Sequence, residues 1–84
     1  MDTSKLKWIG DSSHAWLVVP MKLAKQVEGI SAFSYRSPSG SVAYLECDCD
    51  ATLFIKHYDI DGAPIATGKL YNGEAPIRRY PSYQ

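Results

Sequence analysis

The stretch Ile30-Ser31-Ala32-Phe33-Ser34-Tyr35-Arg36-Ser37-Pro38-Ser39-Gly40-Ser41-Val42-Ala43-Tyr44-Leu45-Glu46-Cys47 decides how this chain is read. Two alternating runs, Ile30 to Arg36 and Ser41 to Cys47, flank Ser37-Pro38-Ser39-Gly40. Proline presets one turn angle and glycine reaches the conformations other residues avoid, so the link predicts a β-hairpin. Side chains alternate along a strand. Phe33 and Tyr35 therefore share a face on the first arm. On the second, Val42, Tyr44 and Glu46 point one way while Ala43, Leu45 and Cys47 point the other.

Towards the amino end, Ala15 to Val19 is nearly continuous in apolar residues and suits a buried central strand. Asp11-Ser12-Ser13 reads as a turn before it, and Lys5 to Gly10 as a short edge strand. After Pro20, placed at a first helical position, Leu23, Ala24 and Val27 fall on one face of a helix of two to three turns that Gly29 closes.

Towards the carboxyl end, Ala51, Phe54, Ile55 and Tyr58 follow the i, i+3, i+4, i+7 spacing of an amphipathic helix. Asp48 or Asp50 is placed to cap it, and Asp59-Ile60-Asp61-Gly62 ends it. From Ala63 onward three prolines and two glycines break any period. Leu70-Tyr71 before Asn72-Gly73 could form a strand with a hairpin turn, and Pro76 and Pro81 restrict the remaining residues to an edge strand or extended arm. The expectation is an α+β fold. A small antiparallel sheet of about four strands is packed by two short helices in a single domain, 1–84, with 63–84 a tail wrapped on by its tyrosines.

Composition narrows the function. Nine basic residues balance nine acidic ones. A protein that grips nucleic acid by bulk charge must neutralise many phosphates, so direct nucleic-acid binding is not expected. An apolar fraction of 45% with ten aromatic residues is too rich for a disordered chain. The longest apolar run, Ala15 to Met21, is far short of a membrane span, and the start carries no apolar leader pattern. These features point to a cytoplasmic protein, with the oligomeric state open and a monomer favoured. Two cysteines a residue apart cannot form a useful staple and read as reduced thiols.

Candidate chemistry is thin. Cys47, Cys49, His14 and His57 make four soft-metal ligands, but a Cys-x-Cys gap does not match the usual zinc spacing. Cys49 near a helix start gains from the dipole and loses to the flanking Asp48 and Asp50. His14 as a general base has no accompanying catalytic motif, and a packed or backbone-bonded histidine is the simpler account. Asp59-x-Asp61-Gly62 lacks the rest of a calcium loop, and Gly68-Lys69 lacks the rest of a phosphate loop. No catalytic residue, metal or cofactor is assigned.

The acids say more. Residues 43–84 carry six acids against four bases, whereas residues 1–42 carry five bases against three acids. Glu46, Asp48, Asp50, Asp59 and Asp61 cluster around the two ends of one helix. They can be caps and solvated surface, or an acidic face that docks on a basic partner. Tyr71, Tyr80 and Tyr83 with Arg78 and Arg79 are either an interface or the glue that fixes the tail.

Three segments, His14-Ala15-Trp16-Leu17-Val18-Val19-Pro20, Ile30-Ser31-Ala32-Phe33-Ser34-Tyr35 and Tyr44-Leu45-Glu46-Cys47-Asp48-Cys49-Asp50-Ala51, resemble small proteins carried by bacteriophages, prophages and plasmids. The resemblance spans roughly residues 8–60. Glycine is usual in that group where Ala15 stands, and Cys47 lies outside its pattern. It carries no catalytic residue with it. It implies a non-enzymatic protein that binds and blocks a host defence or nucleic-acid-processing complex, as anti-CRISPR proteins do. The partner would be a host protein or ribonucleoprotein, met by the five acids acting as phosphate mimics. One alternative is a small enzyme or ligand-binding domain with His14 and Cys49 in one pocket; another is a structural or scaffold protein of a phage.

Overall fold

The computed structural model describes residues 3–60 and 65–84. Its elements run β1 (Lys7–Gly10), β2 (Ala15–Pro20), α1 (Met21–Ala24), β3 (Tyr35–Arg36), β4 (Val42–Glu46), α2 (Asp50–His57) and β5 (Ala66–Leu70), with 3-10 turns at Thr3–Lys5 and Pro76–Arg79. The expected α+β architecture is present, with a fifth strand added. The sheet order is β3-β4-β2-β1-β5. All pairings are antiparallel except β1 with β5.

β2 is the centre. Leu17 pairs with Trp8 on one side and Leu45 on the other, and Trp16 with Ile9 and Glu46. Alternation then sends successive residues into two different cores. Leu17, Val19, Ala43 and Leu45 face α1 and α2, where Ala24, Val27, Ala51 and Phe54 close over them. Trp16 faces the opposite layer, built from Ala75 and Ile77 with Ile9, Tyr35, Tyr44, Tyr71 and Tyr80 around them. A strand covered on both faces needs no polar side, which is why this run is nearly continuous in apolar residues.

The hairpin turn is as expected. Gly40 takes φ +80°, its N–H donates to the Ser37 carbonyl at 2.9 Å, and Ser37 N–H donates to Val42 at 2.9 Å. The first arm is much shorter than the alternation suggests, however, with only Tyr35 and Arg36 in the strand. Alternate carbonyls of residues 30–34 bond to the tail. The Ile30 carbonyl accepts from Gln84 Nε2, Ala32 from Ser82 Oγ at 2.9 Å, and Ser34 from Tyr83 N–H at 2.8 Å.

Helix α1 is one turn, not two to three, with Pro20 the last residue of β2 instead of the first of the helix. The chain tightens immediately, Gln26 donating to Leu23 and Val27 to Ala24, before Gly29 at φ +90° turns it away. Neither Asp48 nor Asp50 caps α2; Cys49 flanks its start and no side chain caps it. Asp59 follows the helix in the left-handed region (φ 51°).

The tail is the largest departure. Asn72-Gly73 is not a hairpin turn, because β5 runs parallel to β1 and the chain continues into the turn at Pro76–Arg79. Gly68 allows that pairing: a Cβ there would lie 3.0 Å from the Trp8 carbonyl oxygen. From the tail, Tyr80 packs against Tyr44 with ring centroids 5.5 Å apart.

Candidate functional site

Where the β1–β2 turn and the tail meet, a clasp forms around Asp11. Its carboxylate accepts the N–H groups of Ser13 and His14 at 3.0 Å each, as the turn-forming residues of that segment would. It also accepts Ala75 N–H at 3.0 Å and a forked pair from Arg78, Nε at 2.6 Å and Nη2 at 3.0 Å. The carboxylate is wholly covered. The Arg78 guanidinium, first, and then the backbone donors outweigh the cost of burial and hold the Asp11 carboxyl far below the usual carboxylate range.

Arg78 reaches further. Its Nη2 donates to Ser13 Oγ at 2.6 Å and lies 2.9 Å from His14 Nδ1. The guanidinium sits 5.5 Å over the Trp16 ring, and the His14 ring is stacked on the same indole at 6.1 Å. Trp16 is thus the floor on which a cation and an imidazole are both laid.

Beside this stack opens a cavity of about 290 Å³. His14, Trp16 and Arg78 form one wall; Phe33 comes from the segment before β3 and Tyr35 from β3 itself; Glu46 ends β4, and Asp48 and Cys49 follow in the β4–α2 connection. Phe33 is 78% exposed, an uncommon position for so large an apolar ring. The Glu46 carboxylate folds back over its own turn and accepts Asp48 N–H at 3.3 Å and Cys49 N–H at 3.2 Å. Asp48 and Cys49 are exposed.

The five acids do not make one face. Glu46 and Asp48 lie together in the cavity wall. Asp50 is 1% exposed, its carboxylate taken up by Ser31 N–H at 3.1 Å, Ser31 Oγ at 2.7 Å and Ser34 Oγ at 2.5 Å. A carboxylate so enclosed cannot meet a partner, so Asp50 leaves the docking set. Asp59 is exposed at the far end of α2, and Asp61 lies outside the described residues. The sequence holds a signal for Asp50: it stands four residues before Phe54 and eight before Tyr58, on the inward row of the helix.

The soft ligands separate in the same way. His14 and Cys49 line the one cavity, whereas His57 packs on Tyr58 at 4.7 Å and borders a different groove with Gln26 and Lys56. A grouping that spacing did not suggest is Glu46, Cys47 and Asp48, whose donor atoms all lie within 4.8 Å of one another. Burial, with the two neighbouring carboxylates adding to it, pushes the Cys47 thiol above its ordinary value, which disfavours the thiolate a metal would need. Among the described residues no helix is long and apolar enough to cross a membrane. Phe33, read from the sequence only as a strand residue, is the site residue that patterning missed, since it comes from the irregular segment before β3; Arg78, read as interface or tail glue, lies in the 3-10 turn Pro76–Arg79. Comparison with family models, curated proteins and solved structures gave no match.

Proposed function

We propose that this protein acts by binding, not catalysis, and that the cleft at the β4–α2 connection is its docking point on a basic surface of a protein or ribonucleoprotein partner. One observation carries the reading. The only ion pair among the described residues joins Arg78 to Asp11 inside the clasp, so the positive charge nearest the cleft is already neutralised. Glu46 and Asp48 face the cleft with no cation of the described residues paired to them, beside an exposed phenyl ring. Anionic groups next to an exposed aromatic suit a cationic partner group, since charge steers the encounter and the ring supplies contact area. The resemblance to phage- and plasmid-borne proteins gives that partner a context: a host defence or nucleic-acid-processing complex whose basic channel the protein would occlude.

The test is affinity capture from bacterial host lysate, at low and moderate salt, with three versions of the protein. The native chain is expected to retain one stoichiometric nucleic-acid-binding complex, which Glu46→Lys/Asp48→Lys loses and Asp59→Lys keeps. Purified, that complex should lose nucleic-acid binding as the native protein is added. Capture that survives the double charge reversal would sink the reading.

A second reading has its own observation, since His14 and Cys49 line the same cavity and Cys49 is accessible. It makes the cavity a site for a small molecule. Native mass spectrometry of the protein purified from a bacterial host separates the two: a bound mass lost on His14→Ala supports the small-molecule site, and an unliganded chain rejects it.

A further inference from the structure

The group that enters the cleft can be specified more closely, on the footing of the docking just proposed. We propose that the cleft takes one arginine side chain of the partner and discriminates against lysine. Three features point to a flat, forked cation.

The first is spacing. Donor-accepting oxygens of Glu46 and Asp48 come within 4.8 Å of each other. Both carboxylates keep acceptor capacity: among the described residues each Glu46 oxygen accepts a single turn N–H, and the one contact on the Asp48 carboxylate is a long one, 3.6 Å from Cys47 Sγ. A guanidinium presents donors along two edges of one plane and can bridge two such acceptors. An ammonium is a point charge that meets them less completely.

The second is the aromatic rim. The Phe33 ring is 78% exposed, with Tyr35 half-buried beside it in the same wall. A guanidinium stacks on such a ring as well as attracting it, whereas an ammonium does only the latter.

The third is an internal precedent. The protein already holds a guanidinium by this combination: Arg78 lies 5.5 Å over an indole and is forked onto a carboxylate. The cleft repeats the two ingredients with Phe33 in place of Trp16 and with Glu46 and Asp48 in place of Asp11. The cavity, about 290 Å³, is also just below the roughly 300–1,000 Å³ usual for small-molecule pockets, a size suited to a single side chain.

The experiment uses the isolated full chain and three capped tripeptides, acetyl-Gly-Arg-Gly-amide and its lysine and citrulline counterparts, followed by two-dimensional NMR. The arginine peptide should give saturable shifts at the amides of residues 46–49, Phe33 and the Trp16 indole. The lysine peptide should bind at least about fivefold more weakly, and neutral citrulline should give no saturable shift. Glu46→Gln/Asp48→Asn should abolish the effect. Phe33→Ala, which alters an exposed ring and leaves both cores alone, should weaken it about fivefold. Equal binding of lysine and arginine, no saturable shift with arginine, or shifts produced by zinc chloride and not by the peptide would each overturn the proposal. The docking reading stands or falls separately: lysate capture that depends on Glu46 and Asp48 sustains it even where the peptides show no arginine preference.

Discussion

Ser34 Oγ donates to the Asp50 carboxylate at 2.5 Å and accepts Glu46 N–H at 2.9 Å. One hydroxyl therefore ties the start of α2 to the end of β4, the two sides of the connection that carries Asp48 and Cys49. The same carboxylate takes Ser31, so the segment bearing Phe33 is fixed from both ends. The cleft's geometry is set by a polar knot lying beneath it.

Removing the knot's central hydroxyl leaves a buried carboxylate short of a donor and a backbone N–H without its acceptor. Ser34→Ala should cost about 1.5–3 kcal/mol, the range for hydrogen bonds to charged groups. Urea denaturation of the variant beside the native chain measures it. A loss below about 0.5 kcal/mol would mean that water replaces the hydroxyl.

The Asp11 clasp predicts an acid limb of stability. Arg78, chiefly, lowers the folded carboxyl far beneath its unfolded value of about 3.9, so folding is favoured by the ionised form. That contribution is fully present above the unfolded value and is lost progressively as pH falls from there towards the folded one. Urea midpoints at pH 6, 4 and 2.5 should drop more steeply for the native chain than for Arg78→Gln. Parallel profiles would show that the clasp is not the acid-sensitive element.

Two phenylalanines should behave oppositely. Phe54 is completely buried between α2 and the sheet, so Phe54→Ala should destabilise by about 3–5 kcal/mol. Phe33 is exposed, and Phe33→Ala should change stability by no more than about 0.5 kcal/mol. A large loss at Phe33 would show that its ring packs in solution and is not offered to a partner.

The thiols should separate kinetically. Cys47 is half-buried with its thiol pushed up, mainly by that burial, while Cys49 is exposed. At neutral pH a disulfide reagent should modify one thiol rapidly and the other slowly, and Cys49→Ser should delete the rapid phase. Persistence of the rapid phase in that variant would reverse the assignment.

The features legible in the sequence are those that depend on neighbours along the chain. The Ser37-Pro38-Ser39-Gly40 turn, the apolar run of β2 and the Phe54 face of α2 each announce themselves locally. β5 does not. Its Gly68-Lys69 has no alternation, its burial is slight, and its register with Lys7 is set by a partner nearly the whole domain away. The acid cluster misleads for a related reason. Spacing shows that Asp50 is near Glu46 and Asp48, and its helical row points it inward, but the donors that let its carboxylate stay there, Ser31 and Ser34, come from another segment. Likewise Arg78 becomes part of the site solely because Asp11 is across the fold from it.

That pairing orders events during synthesis. Asp11 leaves the ribosome 67 residues before Arg78, and the layer over Trp16 takes Tyr71, Ala75, Ile77 and Tyr80 from the tail. The buried residues of the helix side of the sheet all lie between Leu6 and Ile60, whereas the wall containing Arg78 is completed only by the tail. A nascent chain is therefore without that wall of the cleft until Arg78 has emerged, and the docking proposed above would have to wait for it.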